Sequence, residues 1–160
     1  MKQIVHECHY ALCDFDELTP ADQSLIRQAI EATERSYSPY SHFGVGAAVL
    51  LDDGTTVTGS NQENAAFPSG LCAERTALFY ANAQHPDKAV VAIAIAARDT
   101  EGLTHLPTPP CGACRQVILE TETRFGQPVR ILLFGTQGTY VVDGGIRELL
   151  PLNFTSDFLK

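Results

Sequence analysis

Nine consecutive residues, "AVVAIAIAA" at 89–97, carry no polar side chain and end at Arg98. A run so apolar and so rich in β-branched residues predicts a buried strand at the centre of a sheet. "VRILLFGT" (129–136) predicts a second buried strand, and "TYVVDG" (139–144) another. Upstream, "FGVGAAVLL" and "TTVTGSN" flank Asp52-Asp53-Gly54, the pattern of a β-hairpin. Helical periods lie between these runs. Thr19-Pro20-Ala21-Asp22 reads as a helix start, with Thr19 as N-cap, Pro20 at the first helical position and Asp22 at the positive end of the dipole. This helix should run to about Arg35, before the break at "YSPYS". "LCAERTALFYANA" (71–83) has helical character, a short helix should open at Pro110, and "GIRELLP" a short terminal one. Residues 99–108 read as a polar loop. The predicted order is helix, two strands, helix, strand, helix, two strands, helix, which implies an α/β fold with a sheet of about five strands and helices packed on it.

Length and charge narrow the class. The 160 residues suit a single domain, 1–160, with residues 1–18 as a possible N-terminal extension. No apolar run approaches 18 residues, and the start of the chain lacks a signal peptide's continuity, so a cytoplasmic protein with no membrane partner is expected. The formal charge of −8, with no basic cluster interleaved with aromatics, argues against nucleic-acid polymers as partners. Five cysteines, an odd number, favour metal binding or a catalytic thiol over a disulfide framework.

The C-x-x-C pair Cys111 and Cys114 in "PPCGACRQVILE" is weak evidence alone, since a redox pair has the same spacing. Cys72, at the start of another predicted helix and two residues before Glu74, changes this. Three thiolates from two helix starts can hold one Zn²⁺ and leave a tetrahedral position open, the pattern of a catalytic site. Helix N-termini favour anions and lower thiol pKa values. Three thiolates give the zinc complex a net negative charge, and Arg75 and Arg115 are the natural groups to offset it by bonding to thiolate sulfur.

At these residues the chain resembles a known family. Cys72-Ala73-Glu74 followed by Pro110-Cys111-Gly112-Ala113-Cys114 looks like the zinc deaminase signature in its all-cysteine form. More narrowly, "YSPYSHFGVGAAVL", "GSNQENAAFPSGLCAERTAL", "PPCGACRQVILE" and "RELLPLNF" resemble, in order, the small homotetrameric cytidine deaminases, across Ser36 to Phe154. The resemblance implies a three-layer α/β/α fold with a mixed sheet, one Zn²⁺ per chain on Cys72, Cys111 and Cys114, and Glu74 as proton shuttle while water attacks C4 of the pyrimidine. Cytidine and 2′-deoxycytidine would become uridine and 2′-deoxyuridine plus ammonia, a step of pyrimidine salvage. It further implies that Asn61 and Glu63 bond the ribose 3′-hydroxyl, that Phe43 lines the base pocket, that Phe67 and Phe154 sit around the nucleoside with Phe154 supplied by a neighbouring subunit, and that the Ala73 backbone bonds the pyrimidine carbonyl.

Three positions depart from the family pattern. Pro109 stands where Ser or Thr is usual and retains only a carbonyl, Gln62 replaces an aliphatic residue, and Gly44 replaces a common proline. They bear on substrate preference and leave the metal chemistry untouched. Two competing readings remain: a zinc deaminase of another aminated nucleoside or base, and a structural zinc module in which Cys8 or Cys13, from "HECHYALC", closes the site as a fourth thiolate. His42 reads as structural or at the pocket rim, and His85 and His105 as loop residues.

Overall fold

The computed structural model of the chain describes residues 1–159. Seven strands form one sheet: β1 (Ala11–Cys13), β2 (Gly44–Leu51), β3 (Thr56–Ser60), β4 (Val90–Asp99), β5 (Gly102–Leu103), β6 (Arg130–Gly135) and β7 (Gly138–Val142). Three α-helices accompany them: α1 (Pro20–Thr33), α2 (Ala73–Gln84) and α3 (Gly112–Phe125). The strand order is β1-β7-β6-β4-β2-β3, with β5 folded back on β4. Only β4 and β6 pair in parallel, so the sheet is mixed.

The two strands beyond the expected five are the shortest. β1 pairs Ala11 with Val141 at the sheet edge, and β5 lies inside the segment expected to be a plain polar loop. Three residues and two cannot show a period of two, so their strand character comes from register with β7 and β4 and not from local pattern. The helix expected at Pro110 begins at Gly112 and is 14 residues long, and "GIRELLP" forms one 3-10 turn, Ile146–Leu149.

Alternation along the strands makes two cores. Ala47, Val49, Ile93, Ile95, Ile131 and Leu133 face α2 and α3. Ala48, Ala92, Ala94, Ala96 and Leu132 face α1, which contributes Leu25, Ile26 and Ala29. Helices therefore cover both faces of the sheet, giving three layers. The alanines let α1 sit close, and a Cβ on Gly46 would lie 2.1 Å from the Ala29 carbonyl oxygen. The Thr19 hydroxyl accepts from the Asp22 amide at 3.2 Å, capping α1 as its sequence predicts.

The α2 side positions the site. Ala73, Ala77, Leu78 and Ala81 are all buried on α2, and a Cβ on Gly59 of β3 would lie 2.5 Å from the Ala77 amide nitrogen. That close approach fixes where α2 begins. Truncating the fully buried Leu78 to Ala would cost about 2–5 kcal/mol and loosen the helix behind Cys72.

Candidate active site

Cys72 is the N-cap of α2 and Cys111 the N-cap of α3, both with extended backbone and neither capping with its side chain. Cys114 lies in the first turn of α3 and is fully buried. Because α2 and α3 pack side by side on one face of the sheet, the three residues converge. The Cys72 and Cys111 sulfurs are 3.8 Å apart, those of Cys111 and Cys114 3.5 Å, and all three lie within 4.8 Å of one another. A tetrahedral zinc ion with Zn–S bonds of about 2.3 Å sets its sulfurs about 3.8 Å apart, so the spacing fits the ion. Among the described residues this is the one cluster of three such ligands.

The electrostatics are those of a metal-ready site. The Arg75 Nη2 donates to the Cys72 sulfur at 3.5 Å. The Cys72 thiol is drawn down to about 5, first by its hydrogen bond with Cys114 and then by Arg75, against the opposing effect of burial. The same hydrogen bond, with burial, pushes Cys114 upward. The Arg75 guanidinium thus lies where it favours a thiolate on Cys72. Glu74, only 4% exposed, lies among Cys72, Cys114 and Arg75, and burial above all raises its carboxyl above the ordinary range. It stands beside the sulfurs without joining their cluster.

Arg115 departs from expectation. Its Nε donates to the Pro110 carbonyl at 2.9 Å and its Nη1 to the Leu149 carbonyl, not to sulfur. The Pro110 carbonyl precedes α3 and the Leu149 carbonyl ends the 3-10 turn after β7, and the guanidinium bonds both. Arg115 thus braces the backbone before Cys111.

A cavity of about 450 Å³, the size of a small-molecule site, opens beside Cys72 and Arg75. It brings together the expected residues Asn61, Glu63 and Phe67, with Tyr40, Ser41 and Gln62. The Glu63 carboxylate accepts from the Tyr40 amide at 2.9 Å, the Ser41 amide at 3.2 Å and the Ser41 hydroxyl. These bonds, the hydroxyl's foremost, hold Glu63 below the ordinary carboxylate range. The Asn61 Oδ1 accepts from the Ser36 hydroxyl at 2.6 Å and the Val45 amide at 2.7 Å, while its Nδ2 donates to the Phe43 carbonyl at 2.9 Å. Gln62 pairs by backbone with Leu71 at 2.8 and 2.9 Å in an antiparallel bridge, which sets Asn61 opposite Cys72 and Glu63 opposite Gly70.

Phe43, Ala73 and Phe154 do not line this cavity. Phe43 is half-buried at the mouth of β2, and its amide bonds the Ser41 hydroxyl at 3.1 Å. Ala73 is fully buried, so only its backbone can serve, and Phe154 stacks on Phe158 at 5.5 Å near the end of the chain. Ser41 and Tyr40 are site residues that sequence reasoning does not single out. Their signal lies within "YSPYSHF", but a serine in a turn shows no partner until Glu63, 22 positions away, is folded against it. Cys8 is exposed, and Cys13 packs with the α1-side core across the sheet, so neither reaches the three sulfurs.

The sequence profile of the cytidine and deoxycytidylate deaminase zinc-binding region matches residues 19–125, a span that holds all three sulfurs and Glu74. The chain is 44% identical over 135 residues to a cytidine deaminase of Halalkalibacterium halodurans, covering 84% of this chain and 95% of that one. It is 49% identical over 98 residues to a cytidine deaminase of Sporosarcina psychrophila, covering 61% and 68%. The crystal structure of a cytidine deaminase from Burkholderia pseudomallei superposes with a TM-score of 0.71 at 40% identity, covering 86% of this chain and all of that one. With a zinc-binding deaminase region over two thirds of its length and a three-sulfur site that can hold the ion, the chain belongs to the cytidine and deoxycytidylate deaminase family.

Proposed function

We propose that this protein hydrolyses cytidine and 2′-deoxycytidine to uridine and 2′-deoxyuridine, releasing ammonia, in pyrimidine salvage. The observation that carries the reading is the placement of a buried carboxylate, Glu74, beside three sulfurs at zinc spacing, next to a cavity of nucleoside size. When bound, one zinc per chain supplies Lewis-acid activation of water at the position that three sulfurs leave open.

The chain's own residues do the rest. Glu74 takes a proton from the attacking water as the C4–O bond forms and delivers protons to N3 and to the departing amine, so that water and cytidine yield uridine and ammonia. The Ala73 amide, unpaired at the first position of α2, donates to the pyrimidine carbonyl. Phe67, on the cavity wall, flanks the nucleoside, and Phe43, outside that wall, backs the base pocket through its carbonyl's bond to Asn61. Asn61, through its second Nδ2 hydrogen, and Glu63, through its remaining lone pairs, bond the 3′-hydroxyl.

Phe154 reaches the pocket of a neighbouring copy in a cytoplasmic homotetramer. In support, it is 55% exposed and does not line the cavity of its own chain. The test is ammonia release from cytidine by protein stripped of metal and then reloaded with zinc. Activity should return with about one equivalent of zinc per chain, and zinc-loaded protein inert toward cytidine and deoxycytidine would overturn the reading.

A further inference from the structure

The three consecutive residues Cys114, Arg115 and Gln116 of α3 do three different things. Cys114 faces the sulfur cluster, Arg115 holds the Leu149 carbonyl, and the Gln116 Nε2 donates to the Phe154 carbonyl at 2.9 Å. The last contact spans 38 residues and joins the metal-bearing helix to the tail of the chain.

Within the tail the Phe154 ring stacks on Phe158 at 5.5 Å and Thr155 is buried, but the tail's backbone has few ties. After the 3-10 turn Ile146–Leu149, the amides of Leu152, Asn153, Phe154 and Thr155 make no backbone hydrogen bond among the described residues. Leu152 takes a left-handed conformation, φ 53°, which turns the chain sharply and is unfavourable for a branched side chain. Its own side chain is 89% exposed and anchors nothing. Asn153 donates to the Leu150 carbonyl and accepts from Arg147 of the 3-10 turn, ties to the preceding segment and not to the helical layer. Gln116 is the side chain of the helical layer that bonds the Phe154 backbone directly.

We propose that Gln116 is a positioning residue for substrate binding: by holding the Phe154 carbonyl it aims the Phe154 ring, and through it shapes a pocket that this chain does not itself line. This rests on the reading that Phe154 completes the site of a neighbouring copy. A flexible tail would still present the ring, but each binding event would then have to order it, weakening affinity without touching the chemistry. The effect belongs in KM. The amide is the donor, so Gln116→Glu keeps the size and loses the bond.

The experiment is a double-mutant cycle on the zinc-loaded enzyme with cytidine, using Gln116→Ala, Gln116→Glu, Phe154→Ala and the Gln116→Ala, Phe154→Ala pair. Zinc content and light scattering are measured on each. Either Gln116 variant should raise KM about 3- to 10-fold, the worth of one hydrogen bond, with kcat within about twofold and zinc and assembly unchanged. On the Phe154→Ala background, Gln116→Ala should change KM by less than about twofold. Full additivity, or a fall in kcat together with zinc, would overturn the role of Gln116 while leaving that of Phe154 intact. An unchanged KM in Phe154→Ala alone would overturn both.

Discussion

The Arg75 guanidinium donates to the Cys72 sulfur at 3.5 Å, three residues back at the start of the same helix, and we propose that it offsets the charge of three thiolates. Its Nε is buried without another partner among the described residues. Arg75→Gln should therefore lower zinc affinity or turnover by about 10- to 100-fold, as loss of a ligand's hydrogen-bond partner does elsewhere. Competition with a chelator and steady-state rates would measure both. Unchanged values in both would show that Arg75 does not tune the metal.

The sugar should be read at its 3′ position. Cytosine and 3′-deoxycytidine should lose on the order of 10²-fold or more in kcat/KM, because Asn61 and Glu63 would be left with unmet bonds. Removal of the 2′-hydroxyl should cost less than about tenfold. A 5′-phosphate should be rejected: Glu63 is anionic, and Arg75, the one cation lining the cavity among the described residues, is committed to Cys72. Equal turnover of cytidine, cytosine and cytidine 5′-monophosphate would dismiss these assignments.

Glu122 gives a pH prediction away from the metal. It is buried, and its Oε1 accepts from the Val129 amide at 2.9 Å and the Ile146 amide at 2.8 Å, tying α3 to the residue before β6 and to the 3-10 turn after β7. Burial raises its carboxyl above the ordinary 4.5, against the backbone bonds and Arg147. Since the folded value exceeds the unfolded one, the contribution of Glu122 to stability is full below pH 4.5 and is lost as pH rises through the folded value. Glu122→Gln keeps an acceptor and removes the titration, so its melting temperature relative to the wild type should rise between pH 4 and pH 8. Glu122→Ala strands both amides and should cost about 2–4 kcal/mol. A pH-independent difference between the Glu122→Gln variant and the native protein would contradict the assignment.

Much of this arrangement can be read before folding. Thr19 and Pro20 announce the start of α1, the nine apolar residues after Lys88 announce β4, and Cys72, Glu74, Cys111 and Cys114 announce the metal chemistry, because each signal is local. What escapes is settled by distant partners. β1 and β5 become strands through β7 and β4, Arg115 finds carbonyls 5 and 34 residues away, and Ser41 acquires its role through Glu63. Glu122 looks like any helical carboxylate until Gly145 and Pro128 close over it.

The N-terminal cysteines should be dispensable to the metal. Cys8 is exposed and Cys13 lies across the sheet from the sulfurs, so Cys8→Ser and Cys13→Ser should retain zinc and turnover. Loss of zinc in either variant would revive a four-thiolate structural site.

The division of labour between sulfur and carboxylate is tested by Glu74→Gln, with zinc content and ammonia release from cytidine measured on the same sample. Glu74 lies outside the sulfur cluster, so zinc should remain near one per chain. An amide cannot carry protons from water to N3 and the amine, so turnover should fall by at least about 10²- to 10⁴-fold. Replacing Cys72, Cys111 or Cys114 with Ala should instead remove zinc and activity together. Loss of zinc in Glu74→Gln to the extent seen in the cysteine variants, or activity close to that of the wild type, would contradict the mechanism.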